Sequence, residues 1–201
     1  MGNYQFKIVT NDLEHIDQYL NDFASIHQSA YSNNHFTSLF SSNKLKQYYK
    51  TLIHYSDLSL IIYDDEKALG FIVSGINVSQ GVNIFKRLNR FYLAILLVSN
   101  PKFLIEKISS IVLAAFSKSH VNSTKFRLLS IAVDNSIQSK GIGNSLLSQF
   151  EFLLKERGVE SYGLSVRIEN PRAIKFYMSK GFEIEMEKGE TLYLRKIINI
   201  V

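Results

Sequence analysis

The six residues Gln138-Ser139-Lys140-Gly141-Ile142-Gly143 stand between an apolar stretch, Phe126 to Val133, and a stretch with helical apolar periodicity from about 141 to 157. A strand that enters a helix through glycine presents the unpaired N–H groups of the first helical turn, and the positive end of the helix dipole, to whatever lies in front. Gly141 and Gly143 let the main chain approach a phosphate with no side chain between, and Lys140 adds a cation. The chemistry predicts a ligand carrying a pyrophosphate. A nucleoside-triphosphate loop would read Gly-x-x-x-x-Gly-Lys-Ser/Thr, and a dinucleotide fold would place a third glycine or alanine at Leu146; the sequence has neither.

A second block follows, running from Leu164-Ser165-Val166-Arg167 through Asn170-Pro171-Arg172-Ala173 to Phe176-Tyr177 and Gly181-Phe182. Asn170, Ala173 and Tyr177 are spaced i, i+3 and i+7, so one helix face carries all three. Gln/Arg-x-x-Gly-x-Gly/Ala after an apolar strand, followed by a strand, an Asn, a helix bearing Ala and Tyr, and a closing Gly-Phe, resembles the GNAT superfamily of N-acetyltransferases. The resemblance covers about residues 126 to 188. It implies acetyl-CoA as co-substrate, with the pyrophosphate on the backbone amides of Gln138, Ser139, Lys140, Gly141, Ile142 and Gly143. Main-chain groups of Ile131, Ala132 and Val133 would pair with the pantetheine arm, Asn170 and Ala173 would contact the cofactor, and Tyr177 would protonate the departing thiolate. Each assignment has a plainer reading: Tyr177 between Phe176 and Met178 as core, Asn170 before Pro171 as a helix N-cap, the glycines as turn residues. Asp134 reads as a strand-end turn residue.

The elements that must hold these residues follow from periodicity. A strand over Tyr4 to Thr10 leads to a helix near 12 to 28, with Leu13, Ile16, Tyr19, Leu20, Phe23 and Ile26 on one face, and a second helix spans about 43 to 55. Leu58 to Tyr63 and Ala68 to Val78 flank the turn Asp64-Asp65-Glu66-Lys67 as a hairpin. Residues 79 to 120 are expected to form a helical pair, near 83 to 98 and 101 to 117, with Pro101 in the first turn of the second. Strands over 126–133, 161–167, 182–188 and 190–198 alternate with helices at 141–157 and from Asn170 to just before Gly181. The order predicts an α/β (α+β layered) fold with a mixed sheet, and the resemblance implies a mostly antiparallel central sheet flanked by helices, with a helical insertion between the third and fourth strands. Its 201 residues suit one N-acetyltransferase domain, 1–201, with 79–120 as an insertion.

Composition narrows the partners. The net charge of +5 is uneven: residues 1 to 78 carry 5 basic and 8 acidic side chains, residues 79 to 120 carry 6 and 1, and residues 121 to 201 carry 12 and 9. No run of five or more Lys/Arg appears, so a phosphorylated cofactor accounts for the surplus better than nucleic acid does. The run Phe91 to Val98 is too short to span a bilayer. Cysteine is absent and the N-terminus has no basic region leading into an apolar run, which points to the cytoplasm. No His/Asp/Glu cluster has metal-ligand spacing, so no metal is expected.

The acceptor is less legible. An amine must lose a proton before it attacks, and His27, His35 and His120 are the histidines near the expected groove, each read more readily as a solvated surface residue. The expected acceptor is a primary amine of a small molecule, such as an amino sugar or sugar nucleotide. A protein N-acetyltransferase and a non-catalytic acyl-CoA-binding module are the alternatives. The apolar residues of the insertion, Phe91, Leu93, Ile95, Leu96 and Leu97, read as a core extension or a homodimer face ahead of a substrate cover.

Overall fold

Leu58 to Asp64 and Lys67 to Gly75 are nearly unbroken apolar runs, and such strands need cover on both faces. The computed structural model, which describes residues 4–31, 35–105, 124–137 and 141–198, supplies that cover. Side chains alternate across the sheet. Leu60, Ile62 and Ile72 enter one apolar cluster, while Ile61, Tyr63, Phe71 and Val73 enter the other.

Seven strands form one sheet: β1 Tyr4–Ile8, β2 Leu58–Asp64, β3 Lys67–Gly75, β4 Arg127–Val133, β5 Ser161–Arg167, β6 Glu183–Lys188 and β7 Thr191–Ile197, in the spatial order β1-β2-β3-β4-β5-β7-β6. Helices α1 Ile16–Ala30, α2 Ser42–His54, α3 Val78–Leu88 and α4 Arg90–Ser99 contribute to the cluster on one face. Helices α5 Ile142–Glu156 and α6 Pro171–Ser179 contribute to the other. All neighbouring strands are antiparallel except β4 and β5. The predicted element order and mixed, mostly antiparallel sheet are therefore present, with the helical segment between the third and fourth strands.

The β4–β5 junction shapes the molecule's function. A single parallel register pair, Arg127 with Gly163, joins the two strands, anchored where Gly163 N donates to Phe126 O at 2.9 Å. Each strand stays paired on its other side, β4 with β3 as far as Val133 and β5 with β7 as far as Arg167. Beyond the junction the facing edges part. A Cβ on residue 163 would collide with the Arg127 guanidinium, which crosses there to Glu185 at 3.3 Å. Glu185 also accepts from Thr124 Oγ1 at 2.8 Å, so a half-buried polar knot closes the base of the opening.

The expected helix near 83 to 98 is in fact two. α3 starts at Val78, whose side chain is fully buried and which periodicity alone assigned to the preceding strand. Asn89 interrupts the run: its Nδ2 donates to Phe85 O at 2.9 Å, and its Oδ1 accepts from Lys44 Nζ at 2.8 Å. The second predicted helix is described only as the helical residues 101–105; the rest of that expectation, and His120, lie outside the described residues. Leu93 and Leu96 of α4 pack against the α1–α2 cluster, whereas Phe91, Ile95 and Val98 are exposed. The loop between α1 and α2 contains a 3₁₀ turn, Phe36–Leu39, with Phe40 buried behind it.

Candidate active site

Where β4 and β5 part, a cleft of about 670 Å³ opens, a size that suits a small-molecule or cofactor arm. Ile131, Ala132 and Val133 line it from β4, Leu164 to Arg167 from β5, and Asn170, Ala173 and Tyr177 from α6. The i, i+3, i+7 spacing thus does place one helix face on the groove.

Gly141 sits at the mouth of α5 as its N-cap with φ +85°, a conformation that disfavours any residue with a Cβ. Having no side chain, it cannot satisfy the helix's first N–H groups; the first intrahelical bond is Ser145 N to Gly141 O at 3.0 Å. The amides of Ile142, Gly143 and Asn144 are thereby left for a ligand. The Ile142 side chain is buried in the core, so only its backbone faces outward. A Cβ on Gly143 would meet the Phe176 ring at 3.7 Å and Val133 at 3.9 Å, which puts this turn against both the end of β4 and α6. Gln138, Ser139 and Lys140 lie outside the described residues. Left-handed backbone and open amides at the end of the cleft fit a pyrophosphate-bearing arm. Gly141→Val should therefore weaken CoA binding by about tenfold or more, through strain of roughly 1–2 kcal/mol and occlusion of the amides. Isothermal titration with CoA checks this.

Asn170 caps α6: its Oδ1 accepts from Ala173 N at 3.0 Å, and the residue also borders the cleft. Tyr177 is 8% exposed, its ring centroid 5.3 Å from each of Phe176 and Phe182. Burial, reinforced by the nearby Tyr31 hydroxyl, pushes its phenol above the usual value of 10, so the group is a proton donor at neutral pH. Asp134 is the turn residue its position suggested. It accepts from Ser29 Oγ at 2.9 Å and from Ser136 N at 2.9 Å, which holds its carboxyl below the usual range.

His27 and His35 depart from the expected surface role. His27 is 2% exposed and sits on the buried stripe Leu20, Phe23, His27 of α1, spacing that was visible in the sequence. Its Nδ1 meets Tyr49 Oη at 2.6 Å and its Nε2 meets Thr37 Oγ1 at 2.8 Å. Tyr31 stacks on the ring at 4.1 Å. Burial drives its pKa down to about 3, so the imidazole is neutral. His35 is half-buried and borders the cleft, with Nδ1 2.7 Å from the same Thr37 Oγ1; burial, then Arg167, lowers its pKa. Tyr31 also lines the cleft and bonds Ser130 Oγ of β4 at 3.0 Å. Ser130 and Tyr31 carried no sequence motif, and Arg167 stood in the second block with no role assigned to it. Among the described residues, no group of three His, Asp or Glu could hold a metal ion.

A profile of the acetyltransferase (GNAT) family matches residues 20–182. The chain belongs to the GNAT acetyltransferase family. Members of that family use acetyl-CoA as the acetyl donor. The [ribosomal protein bS18]-alanine N-acetyltransferase of Escherichia coli K12 is 40% identical over 70 residues, 35% of this chain and 47% of that protein. The chain thus aligns with about half the length of the curated relatives it matches. Three solved structures share the fold. A Pyrococcus horikoshii OT3 protein superposes with a TM-score of 0.64 at 17% identity, covering 98% of this chain and 99% of the other. The Escherichia coli ribosomal-protein-S18-alanine N-acetyltransferase gives 0.58 at 18%, covering 98% and 96%. An N-acetyltransferase from Thermoplasma acidophilum in complex with coenzyme A gives 0.55 at 15%, covering 97% and 99%. Among the described residues, no helix of this GNAT protein is long and apolar enough to cross a membrane.

Proposed function

We propose that the chain is a single N-acetyltransferase domain, 1–201, acting in the cytoplasm on the α-amine at the end of a protein chain. This replaces the small-molecule amine that the sequence alone favoured. The observation that carries the reading is the 40% identity over 70 residues with an enzyme named for acetylating a ribosomal-protein alanine. The cleft is compatible with it: it is open, and Ser130, Ser165 and Thr191 border it with short polar side chains that leave room for an extended chain terminus.

In this reading the backbone of Ile131 to Val133 pairs with the pantetheine arm through the edge freed where β5 parts from β4. The amides from Gln138 to Gly143 hold the pyrophosphate, with Asn170 and Ala173 bordering the arm. Tyr177 faces the sulfur as proton donor. The acceptor enters from the side of His35 and Arg167.

The experiment is acetyl transfer from acetyl-CoA to two panels, N-terminal peptides beginning with small residues and small amines including amino sugars, with products located by mass spectrometry. Acetylation at peptide α-amines is the expected result. Turnover of the small amines with silent peptides would return the acceptor to the small-molecule class.

A further inference from the structure

We propose that His35 is the general base that takes the proton from the acceptor amine, held in its reactive tautomer by a hydrogen-bonded chain through Thr37, His27 and Tyr49. The proposal rests on the acetyltransferase reading of the cleft.

Among the described residues, five titratable side chains border the cleft: Tyr31, His35, Arg167, Glu169 and Tyr177. Arg167 has no lone pair to offer at accessible pH. The two tyrosines have phenols raised above 10 and hold their protons. Glu169 is exposed, and its carboxylate is engaged by Arg167 at 3.4 Å. His35 is left.

Its setting is more particular than elimination requires. Nδ1 is taken up by Thr37 Oγ1 at 2.7 Å, and among the described residues Nε2 on the opposite edge of the ring has no hydrogen-bond partner. A threonine hydroxyl has one proton and two lone pairs, so between two imidazole nitrogens it can accept from one and donate to the other. When His35 Nδ1–H donates to Thr37 Oγ1, Thr37 donates to His27 Nε2. His27 Nδ1–H then donates to Tyr49 Oη, and Tyr49 has Ser130 beside it as the next acceptor. This direction leaves His35 Nε2 bare and able to accept a proton. Tyr31, stacked on His27 at 4.1 Å and 4.7 Å from the His35 ring centroid, keeps both rings in register. His27 itself is walled off by α1 and α2 and serves as a positioning residue.

The groups facing His35 are His27 and Tyr31 from α1 and the turn that ends it, Tyr49 of α2 beyond His27, Arg167 from β5, and Glu169 and Tyr177 across the cleft. None of these places a carboxylate against the ring that would hold it protonated, and burial together with Arg167 favours the neutral form.

The step balances simply. The ammonium gives one proton to His35 Nε2, and the freed lone pair forms the new C–N bond to the acetyl carbon. The C–S bond breaks with its electron pair on sulfur, and sulfur takes a proton from Tyr177. The nitrogen sheds its second proton as the amide forms, which restores Tyr177 through solvent, and the imidazolium returns its own proton to water. A base below about 6.5 is matched to an α-ammonium at about 7.7–8.0 far better than to a lysine at about 10.4; that gap makes deprotonation of the α-amine easier by roughly 300-fold.

The test uses the full chain. With whatever amine the wild-type protein acetylates, His35→Gln should lower kcat/KM by about 10²-fold and abolish the acidic limb of the pH profile, with CoA affinity by titration within about twofold. Thr37→Val should give a smaller loss, about tenfold, with the acidic limb displaced. Independently of any acceptor, ¹⁵N NMR of the CoA-loaded protein should show neutral His35 protonated on Nδ1 and titrating at Nε2 below pH 6.5, with that preference lost in Thr37→Val. Unchanged kcat/KM in His35→Gln, or a His35 protonated on Nε2 throughout, overturns the proposal. If peptides are silent but another amine is acetylated in a His35-dependent way, the base assignment stands and the α-amine reading falls.

Discussion

Tyr177→Phe should reduce kcat by about 10²-fold or more while leaving CoA affinity and stability close to wild type, because proton donation in the transition state contributes about 10²–10⁴-fold. The ring would remain between Phe176 and Phe182, so packing is conserved and only the hydroxyl is lost. The direction of the phenol's shift sharpens what that hydroxyl does. A thiol near 8.5 is a stronger acid than a buried phenol above 10, so outright transfer to the thiolate is uphill. In the proposed mechanism the phenol therefore donates a hydrogen bond to sulfur as charge develops, and full transfer is drawn on by the proton that the new amide releases. Two consequences follow for measurement. The loss should appear in kcat and kcat/KM alike, as expected of an interaction made only in the transition state. The wild-type profile should show no alkaline fall from Tyr177 below about pH 10, since burial holds the proton on. Single-turnover kinetics across pH read both; wild-type turnover by Tyr177→Phe with chemistry rate-limiting removes the residue from the mechanism.

The glycine turn into α5 and the cleft-facing side of α6 were legible because they are built from local sequence. A glycine at φ +85°, a helix N-terminus, and an Asn-Ala-Tyr face at helical spacing are each set within a few residues, so spacing alone places them. The cleft itself was not legible in the same way. It depends on β4 and β5 pairing once at Arg127 and Gly163 and then parting, and the Arg127 crossing that marks this junction joins residues far apart in the chain. The acceptor side shows the same limit. Thr37 gathers His27 from α1 and His35 from the loop, and Tyr31 reaches Ser130 on β4; these are tertiary meetings with no periodicity to announce them. His27 was recoverable in part, since its position on the apolar stripe of α1 argued for burial over a surface role. The helix boundary at Asn89 was hidden for a different reason: an amide side chain that substitutes for lost ladder bonds is indistinguishable in sequence from any other polar residue on a helix.

His27 should also make stability strongly pH-dependent below neutrality. Its folded pKa of about 3 lies under the unfolded value of about 6.5, so between those values the unfolded chain binds more protons than the folded one. The slope of unfolding free energy with pH is positive wherever that holds, so stability is fully present above pH 6.5 and is lost as pH falls toward 3. The limiting slope is about 1.4 kcal/mol per pH unit, and the accumulated loss is on the order of 3–5 kcal/mol, enough to consume much of the net stability of a domain this size. His35, shifted in the same direction, adds to it. The physical cause is the burial of His27 in a pocket of aromatic rings, where a charge would be desolvated, with the nearby His35 adding to it. His27→Gln keeps some of the hydrogen bonding and cannot take up a proton, so it should be less stable at pH 8 yet lose much less on acidification. The two urea-unfolding curves should converge as pH falls from 7 to 5. Parallel curves over that range would show that the buried imidazole is not what the protein loses in acid.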